Sequence, residues 1–286
     1  MDIKGQGVHR VSLGAVVRET IRAKAASNMR PAYISSLRYY LGAFARGRED
    51  MPLSEVTMDT VARWFDERQE KPRTMLANIG RLSAMFQVAW RRGWIEVNPC
   101  DRMEKPRVDY QSPEILTVGQ SRTLLEAALK TRWSAYLVLC LLCGLRPNEA
   151  RQTTWEDIST DRGMVEVRSA ASKMRRRRYV HLRPSAIDWL RHCPRQELPL
   201  SKSGVRAFTH FAIGTLGLTR WPQDVLRHTC ATYWLADIRD AGKVAHELGN
   251  SPGILMRHYC DLVTKEQAEE FWAIRPVNGR QIELEL

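Results

Sequence analysis

The sequence predicts a mainly α-helical chain with one small β-hairpin, an α+β protein of two domains in which a helical bundle precedes a larger domain. Three observations predict it. Apolar residues recur at three- and four-residue steps over most of the 286 residues, the spacing of one buried helix face. Clear alternation, the mark of a half-buried strand, appears around Val165 and Val180, on either side of a basic turn. From Asn98 to Pro113 three prolines and little apolar content break the helical pattern in two.

Taken in order, residues 1–12 lack periodicity and read as a loose basic arm. Four amphipathic helices follow: Val16–Ala26, Tyr33–Phe44, Met58–Phe65 with Thr57 as its cap, and Thr74–Arg92, where Met75, Ile79, Leu82, Phe86, Ala89 and Trp90 form the stripe and Gly93 the stop. Short connections make them a bundle over 13–103. A linker is placed at 104–114 and the second domain at 115–275. There Thr117 and Gln120 offer a capping box for a helix to about Leu129, and Trp133–Cys143 is a second, strongly apolar helix. The hairpin strands start at Met164 and Arg178. Helices resume at Pro184, break near Leu198–Ser203 and run to about Trp272. The tail, 276–286, alternates weakly like a strand. The nine tryptophans, among them Trp64, Trp90, Trp94 and Trp133, sit at helical spacing and are expected in the core.

Composition narrows the function. The chain carries 44 Lys and Arg against 32 Asp and Glu, a net charge of +12, which favours a polyanionic partner: nucleic acid or an anionic membrane surface. The most apolar run, Ala135 to Leu145, is far shorter than the ~20 residues that cross a bilayer, so no span is expected. No charged segment followed by an apolar one opens the chain, and a cytoplasmic location is expected. The six cysteines should then stay reduced. Cys140 and Cys143 lie within the apolar run, where packing explains them, and no second Cys/His pair stands at zinc-binding distance.

Cleaving a phosphodiester without a metal requires a nucleophile, cations to hold the charge building on the non-bridging oxygens, and an acid for the leaving oxygen. Four segments could supply these. In Cys143-Gly-Leu-Arg-Pro-Asn-Glu-Ala, Arg146 offers a planar fork for phosphate, with Glu149 three residues on to orient it. In Lys173-Met-Arg-Arg-Arg-Arg-Tyr, Lys173 lies in the hairpin turn, while Arg175, Arg176, Arg177 and Arg178 read as a solvated turn touching DNA backbone nonspecifically. Trp221-Pro-Gln-Asp-Val-Leu-Arg-His places Arg227 in a first helical turn, itself favourable to phosphate. The last segment, Leu248-Gly-Asn-Ser-Pro through Arg257-His-Tyr, ends on Tyr259.

From about residue 13 to about 275 the chain resembles the tyrosine recombinases, the phage integrase family. That family carries a Gly-Leu-Arg-x-x-Glu box, a hairpin lysine, a His-x-x-Arg-His box and a Leu-Gly-His box nine residues ahead of a tyrosine. Arg146, Lys173, Arg227 and Tyr259 fall on the first arginine, the lysine, the second arginine and the nucleophile, and Asn250 precedes Tyr259 by the family's interval. The resemblance implies a core-binding domain over 13–103 and a catalytic domain over 115–275 that close around double-stranded DNA. It implies attack by Tyr259 on the scissile phosphate to give a 3′-phosphotyrosyl link, protonation of the 5′-oxygen by Lys173, and resealing by a partner strand. It further implies a homotetramer on two duplexes, assembled from a chain that could be a monomer in solution, and a role in DNA integration or recombination such as mobile genetic elements use. Neither ATP, metal nor another cofactor is required.

Two positions depart from the family pattern. Asp224 stands where the second box usually has histidine, and Asn250 where the third has histidine or tryptophan. Asn250 can still donate to a phosphate oxygen, whereas an ionised Asp224 repels it. His228 and His258 could compensate, or simply pack and cap. Three other functions therefore stay open: a DNA-binding relic or regulator that cannot exchange strands, a type IB topoisomerase-like relaxing enzyme, and a plain helical regulator, which has no use for a tyrosine so placed. The segment Ile282–Leu286 is a candidate for docking on a neighbouring subunit.

Overall fold

A computed structural model describes residues 11–109, 112–172, 176–195, 198–260 and 262–276. The arm residues 1–10, Lys173, Arg175 and the tail with Ile282–Leu286 lie outside the described residues. The chain divides into two compact units between Asp109 and Tyr110, a point within the expected linker.

The first unit contains α1 (Leu13–Ala26), α2 (Pro31–Ala45), α3 (Met58–Asp66) and α4 (Pro72–Arg91), with a 3₁₀ turn at Leu53–Glu55. Three helices start earlier than their apolar stripes do. Ser12 caps α1 by accepting from Ala15 N–H, and Pro31 and Pro72 open α2 and α4, where a missing N–H is no loss. Thr57 and Thr60 cap α3 reciprocally. Leu37, Leu41, Phe44, Val61, Trp64, Leu82, Met85 and Phe86 fill the core, where the Phe44 ring meets Trp64 edge-on at 5.4 Å. Trp90 corrects the sequence expectation, being 50% exposed. The buried face of α4 runs through Ile79, Leu82, Met85, Phe86 and Ala89, and Trp90 lies about 100° around the helix from Ala89.

The second unit opens with α5 (Val118–Ala128), started by the Thr117/Gln120 capping box, and α6 (Ser134–Leu141). Every residue of α6 is buried, as expected of a helix apolar on all sides, and it packs against α5, α8 (Pro184–His192) and α10 (Val225–Ile238). The hairpin is present as β2 (Met164–Val167) and β3 (Arg178–His181), antiparallel, with Met164 opposite His181 and Val167 opposite Arg178. A two-residue edge, β1 (Ile158–Ser159), makes the sheet three-stranded; it is too short for its alternation to show in sequence. The remaining helices are α7 (Pro147–Ala150), α9 (Lys202–Leu216), α11 (Ala241–Leu248), α12 (Pro252–Tyr259) and α13 (Lys265–Trp272). The last docks on α10 through Phe271, stacked on Tyr233 with centroids 4.2 Å apart, and through Trp272 Nε1–H, which donates to Tyr233 O. Cys100, Cys140, Cys143, Cys193 and Cys230 are buried free thiols, and Cys260 is exposed.

Candidate active site

The site is built where α6, α10, α11 and α12 end or begin. After α6 the chain turns on Gly144 in the left-handed region, φ 66°, and a Cβ there would stand 2.3 Å from Leu248 Cδ2. Only glycine fits both constraints. The turn delivers Arg146 to the start of α7, where its N–H donates to Glu149 Oε2 at 3.0 Å and its guanidinium to Glu149 Oε1 at 3.1 Å. On the far side, α11 ends in a second left-handed glycine, Gly249, and its last carbonyls have no partner within the helix.

Those carbonyls hold the arginines. Arg146 Nη2 donates to Gly249 O at 2.9 Å and Arg227 Nη2 to Leu248 O at 2.6 Å, while Arg227 Nη1 donates to Gly144 O. Cations at a helix C-terminus are favoured by the dipole as well. Asn250 Oδ1 then accepts from both guanidiniums, at 2.9 Å from Arg146 Nη2 and 3.0 Å from Arg227 Nη2. A guanidinium has no acceptor, so the amide must turn its oxygen to the pair and keep Nδ2 to donate elsewhere. Two cations are thus tied through one oxygen. Burial pushes Arg227 down to about 10, with repulsion from Arg146 adding to it, and it remains charged near neutral pH.

Glu149 is 1% exposed and shared. Arg178 Nη1 and Nη2 donate to its two oxygens at 3.0 and 2.8 Å, in addition to the bonds from Arg146. Burial alone would raise the carboxyl, but these hydrogen bonds and charges outweigh it and hold Glu149 at about 2. Here the sequence expectation is corrected: Arg178 is no solvated turn residue but the first residue of β3, its side chain 16% exposed and forked onto Glu149. The signal was available in the period of two, because Arg178 shares a strand face with Val180, which is 1% exposed. Arg176 is exposed, and Arg177 is exposed and paired with Glu166 at 2.7 Å and with the Tyr179 hydroxyl.

Tyr259 closes α12 and is 6% exposed. Its hydroxyl lies 2.7 Å from Nδ1 of His228, on the first turn of α10. Burial raises the phenol pKa; the Arg227 and Arg146 charges oppose that rise, and Asp224 adds to it. The same burial lowers the His228 pKa, Asp224 opposing and Arg227 and His258 adding. Asp224 sits in the left-handed region, φ 52°, as the residue before α10; its side chain makes no capping bond and its carbonyl accepts from His228 N–H at 2.9 Å. Among the sequence-predicted residues, Arg146, Glu149, Arg227, His228, Asn250 and Tyr259 are therefore joined through one network of direct contacts and near charges, with Asp224 at its edge.

A helical domain whose turns and helix ends gather two arginines, an amide and a tyrosine in this way offers cations and a nucleophile suited to a phosphate. Residues 114–265, over half of the chain, match the Phage integrase family. The chain belongs to that family, the tyrosine recombinases, a class of site-specific DNA recombinases. It is 27% identical over 235 residues to the integrase/recombinase y4qK of Sinorhizobium fredii, covering 77% of this chain and 72% of that one. It is 26% identical over 228 residues to tyrosine recombinase XerC of Caldanaerobacter subterraneus, covering 70% of this chain and 63% of the relative, a little under two thirds. In fold it is similar to a lambda integrase fragment solved as a dimer bound to a COC′ core site, with a TM-score of 0.68 at 18% identity over 85% of this chain and 97% of that one. No helix among the described residues is long and apolar enough to cross a membrane.

Proposed function

We propose that this chain cuts and rejoins DNA at a specific site, with Tyr259 as the nucleophile that becomes linked to a 3′-phosphate. The observation that carries the proposal is the pair of guanidiniums, Arg146 and Arg227, tied through Asn250 Oδ1 and close enough to Tyr259 for both charges to lower its pKa. Such a pair is held before any substrate arrives, and it suits the charge that grows on the non-bridging oxygens of a pentacoordinate phosphorus. Asn250 Nδ2 is the further donor to those oxygens. Lys173, which falls between β2 and β3 in the sequence, protonates the departing 5′-oxygen, and a partner strand's 5′-hydroxyl reverses the reaction.

In this proposal residues 13–103 are the core-binding domain, 115–275 the catalytic domain, and Arg175 and Arg176 contact DNA backbone. The working assembly is a homotetramer on two duplexes; one lambda integrase neighbour of this fold was solved as a tetramer bound to a Holliday junction. The scheme stores bond energy in the phosphotyrosyl link and calls on no cofactor.

A second reading rests on Asp224, whose charge makes Tyr259 harder to ionise: a protein that binds DNA and does not cut it. The two separate on a duplex selected from a random pool for binding, nicked at successive positions so that a cleaved end is lost. A covalent protein–DNA adduct supports cutting; salt-sensitive binding with no adduct at any nick supports the second reading.

A further inference from the structure

We propose that His228 is the proton acceptor for Tyr259, and that Asp224 serves this base instead of contacting the phosphate. The inference rests on the tyrosine reading above and names the group that activates the nucleophile.

A phenol near neutral pH keeps its proton, and burial of Tyr259 strengthens its hold. Attack on phosphorus therefore needs a base within hydrogen-bond reach of the hydroxyl, roughly 2.6–3.2 Å. His228 Nδ1 stands at 2.7 Å. Direction follows from the two environments. Burial keeps the imidazole neutral near pH 7 and the phenol protonated, so the Tyr259 O–H donates, Nδ1 accepts, and the ring proton sits on Nε2. The ring is also held in place. Its backbone N–H bonds to Asp224 O, and the preceding Arg227 is anchored to Gly144 O and Leu248 O, which ties the first turn of α10 to the turn after α6 and to the end of α11, the helix on which α12 packs.

Asp224 acquires a use in this arrangement. The titratable or charged groups facing His228 are Asp224, the residue before its helix, Arg227 from that helix, and His258 and Tyr259 from α12. Only Asp224 among them favours the imidazolium that forms when the proton arrives. An anion near enough to act on that ring through its charge stabilises the transition state that produces the cation. The position that usually holds a histidine in this family thus carries the counter-charge of a histidine one helical turn further on.

The step balances. The Oη–H bond of Tyr259 breaks and its proton passes to His228 Nδ1, giving an imidazolium. The Oη electron pair forms the bond to phosphorus as the bond from phosphorus to the 5′-oxygen breaks, and that oxygen takes a proton from Lys173. Resealing runs in reverse: the 5′-hydroxyl returns its proton to Lys173, and the departing phenolate takes one from His228.

The test uses the full chain and a nicked duplex, carrying either the natural 5′-oxygen or a 5′-bridging sulfur at the scissile phosphate. Sulfur leaves without a proton, so it relieves loss of the leaving-group acid and leaves loss of the nucleophile's base untouched. His228→Gln keeps a hydrogen-bond acceptor but takes no proton. It should lose about 10²- to 10⁴-fold in adduct formation at pH 7 on both substrates, with DNA affinity unchanged. Its rate should climb with pH, whereas the unaltered chain should lose activity only below about pH 6.5. His228→Ala should regain activity with added imidazole, which guards against a folding defect. A rate within about threefold of the unaltered chain, or a defect that sulfur abolishes, would overturn the inference. So would a loss that follows DNA affinity and leaves the pH profile unmoved. If the unaltered chain forms no adduct on any nicked duplex, the tyrosine reading itself fails, an outcome distinct from these.

Discussion

Glu149 carries its charge at 1% exposure because two arginines and a backbone N–H surround it. Its carboxyl is held at about 2 against an ordinary 4.5, so the folded chain binds this proton less readily than the unfolded one. A depressed carboxyl contributes stability above its unfolded pKa and loses it as pH falls through the folded value. The second unit should therefore lose urea resistance between about pH 4.5 and 2, and Glu149→Gln should flatten that part of the curve. At pH 7 the same substitution leaves Arg178 without its partner and should cost about 3–5 kcal/mol, the usual result of breaking a buried ion pair on one side. A cost under about 1 kcal/mol would mean that Arg178 finds solvent, and that Glu149 does not orient the site.

Among the elements, the left-handed turns at Gly144 and Gly249 aim the arginines. Gly144→Ala meets both an unfavourable φ and the Leu248 methyl at 2.3 Å, so α6 and α11 must separate to admit it. A loss of at least about 2 kcal/mol in urea denaturation is expected, with DNA cleavage falling further than DNA binding because Arg146 and Arg227 lose their shared geometry. Helix existence was legible in the sequence because the stripes are strong: Thr57, Thr117 and Gln120 cap where expected, and α6 is apolar on every side. Trp90 was misread because a bulky apolar residue at the end of a stripe satisfies a spacing rule while facing outward. The candidate site was legible through its short boxes, which fix Arg146, Arg227, Asn250 and Tyr259 to turns and helix ends. What sequence order did not reveal is pairing across elements. The fork of Arg178 onto Glu149 and the bond from Tyr259 to His228 join residues 29 and 31 positions apart, and depend on where β3 and α10 are laid down.

For the molecule as a whole, a net charge of +12 sets the terms of association with DNA. If about 6–10 phosphates are contacted, affinity should fall by about 10³- to 10⁵-fold between 50 and 200 mM salt, measured by fluorescence anisotropy on a selected duplex. A nearly flat salt response would argue against a DNA partner of any sequence. The central claim is more local, that one phenol forms the bond to phosphorus. Trypsin cutting after Arg257 and Lys265 releases a peptide, 258–265, with Tyr259 as its single tyrosine, and mass spectrometry of a nuclease-trimmed protein–DNA adduct can read it directly. The nucleotide should be found on that peptide, at Tyr259, and the adduct should vanish in Tyr259→Phe. A nucleotide on any other residue, or an adduct that survives Tyr259→Phe, would contradict the account.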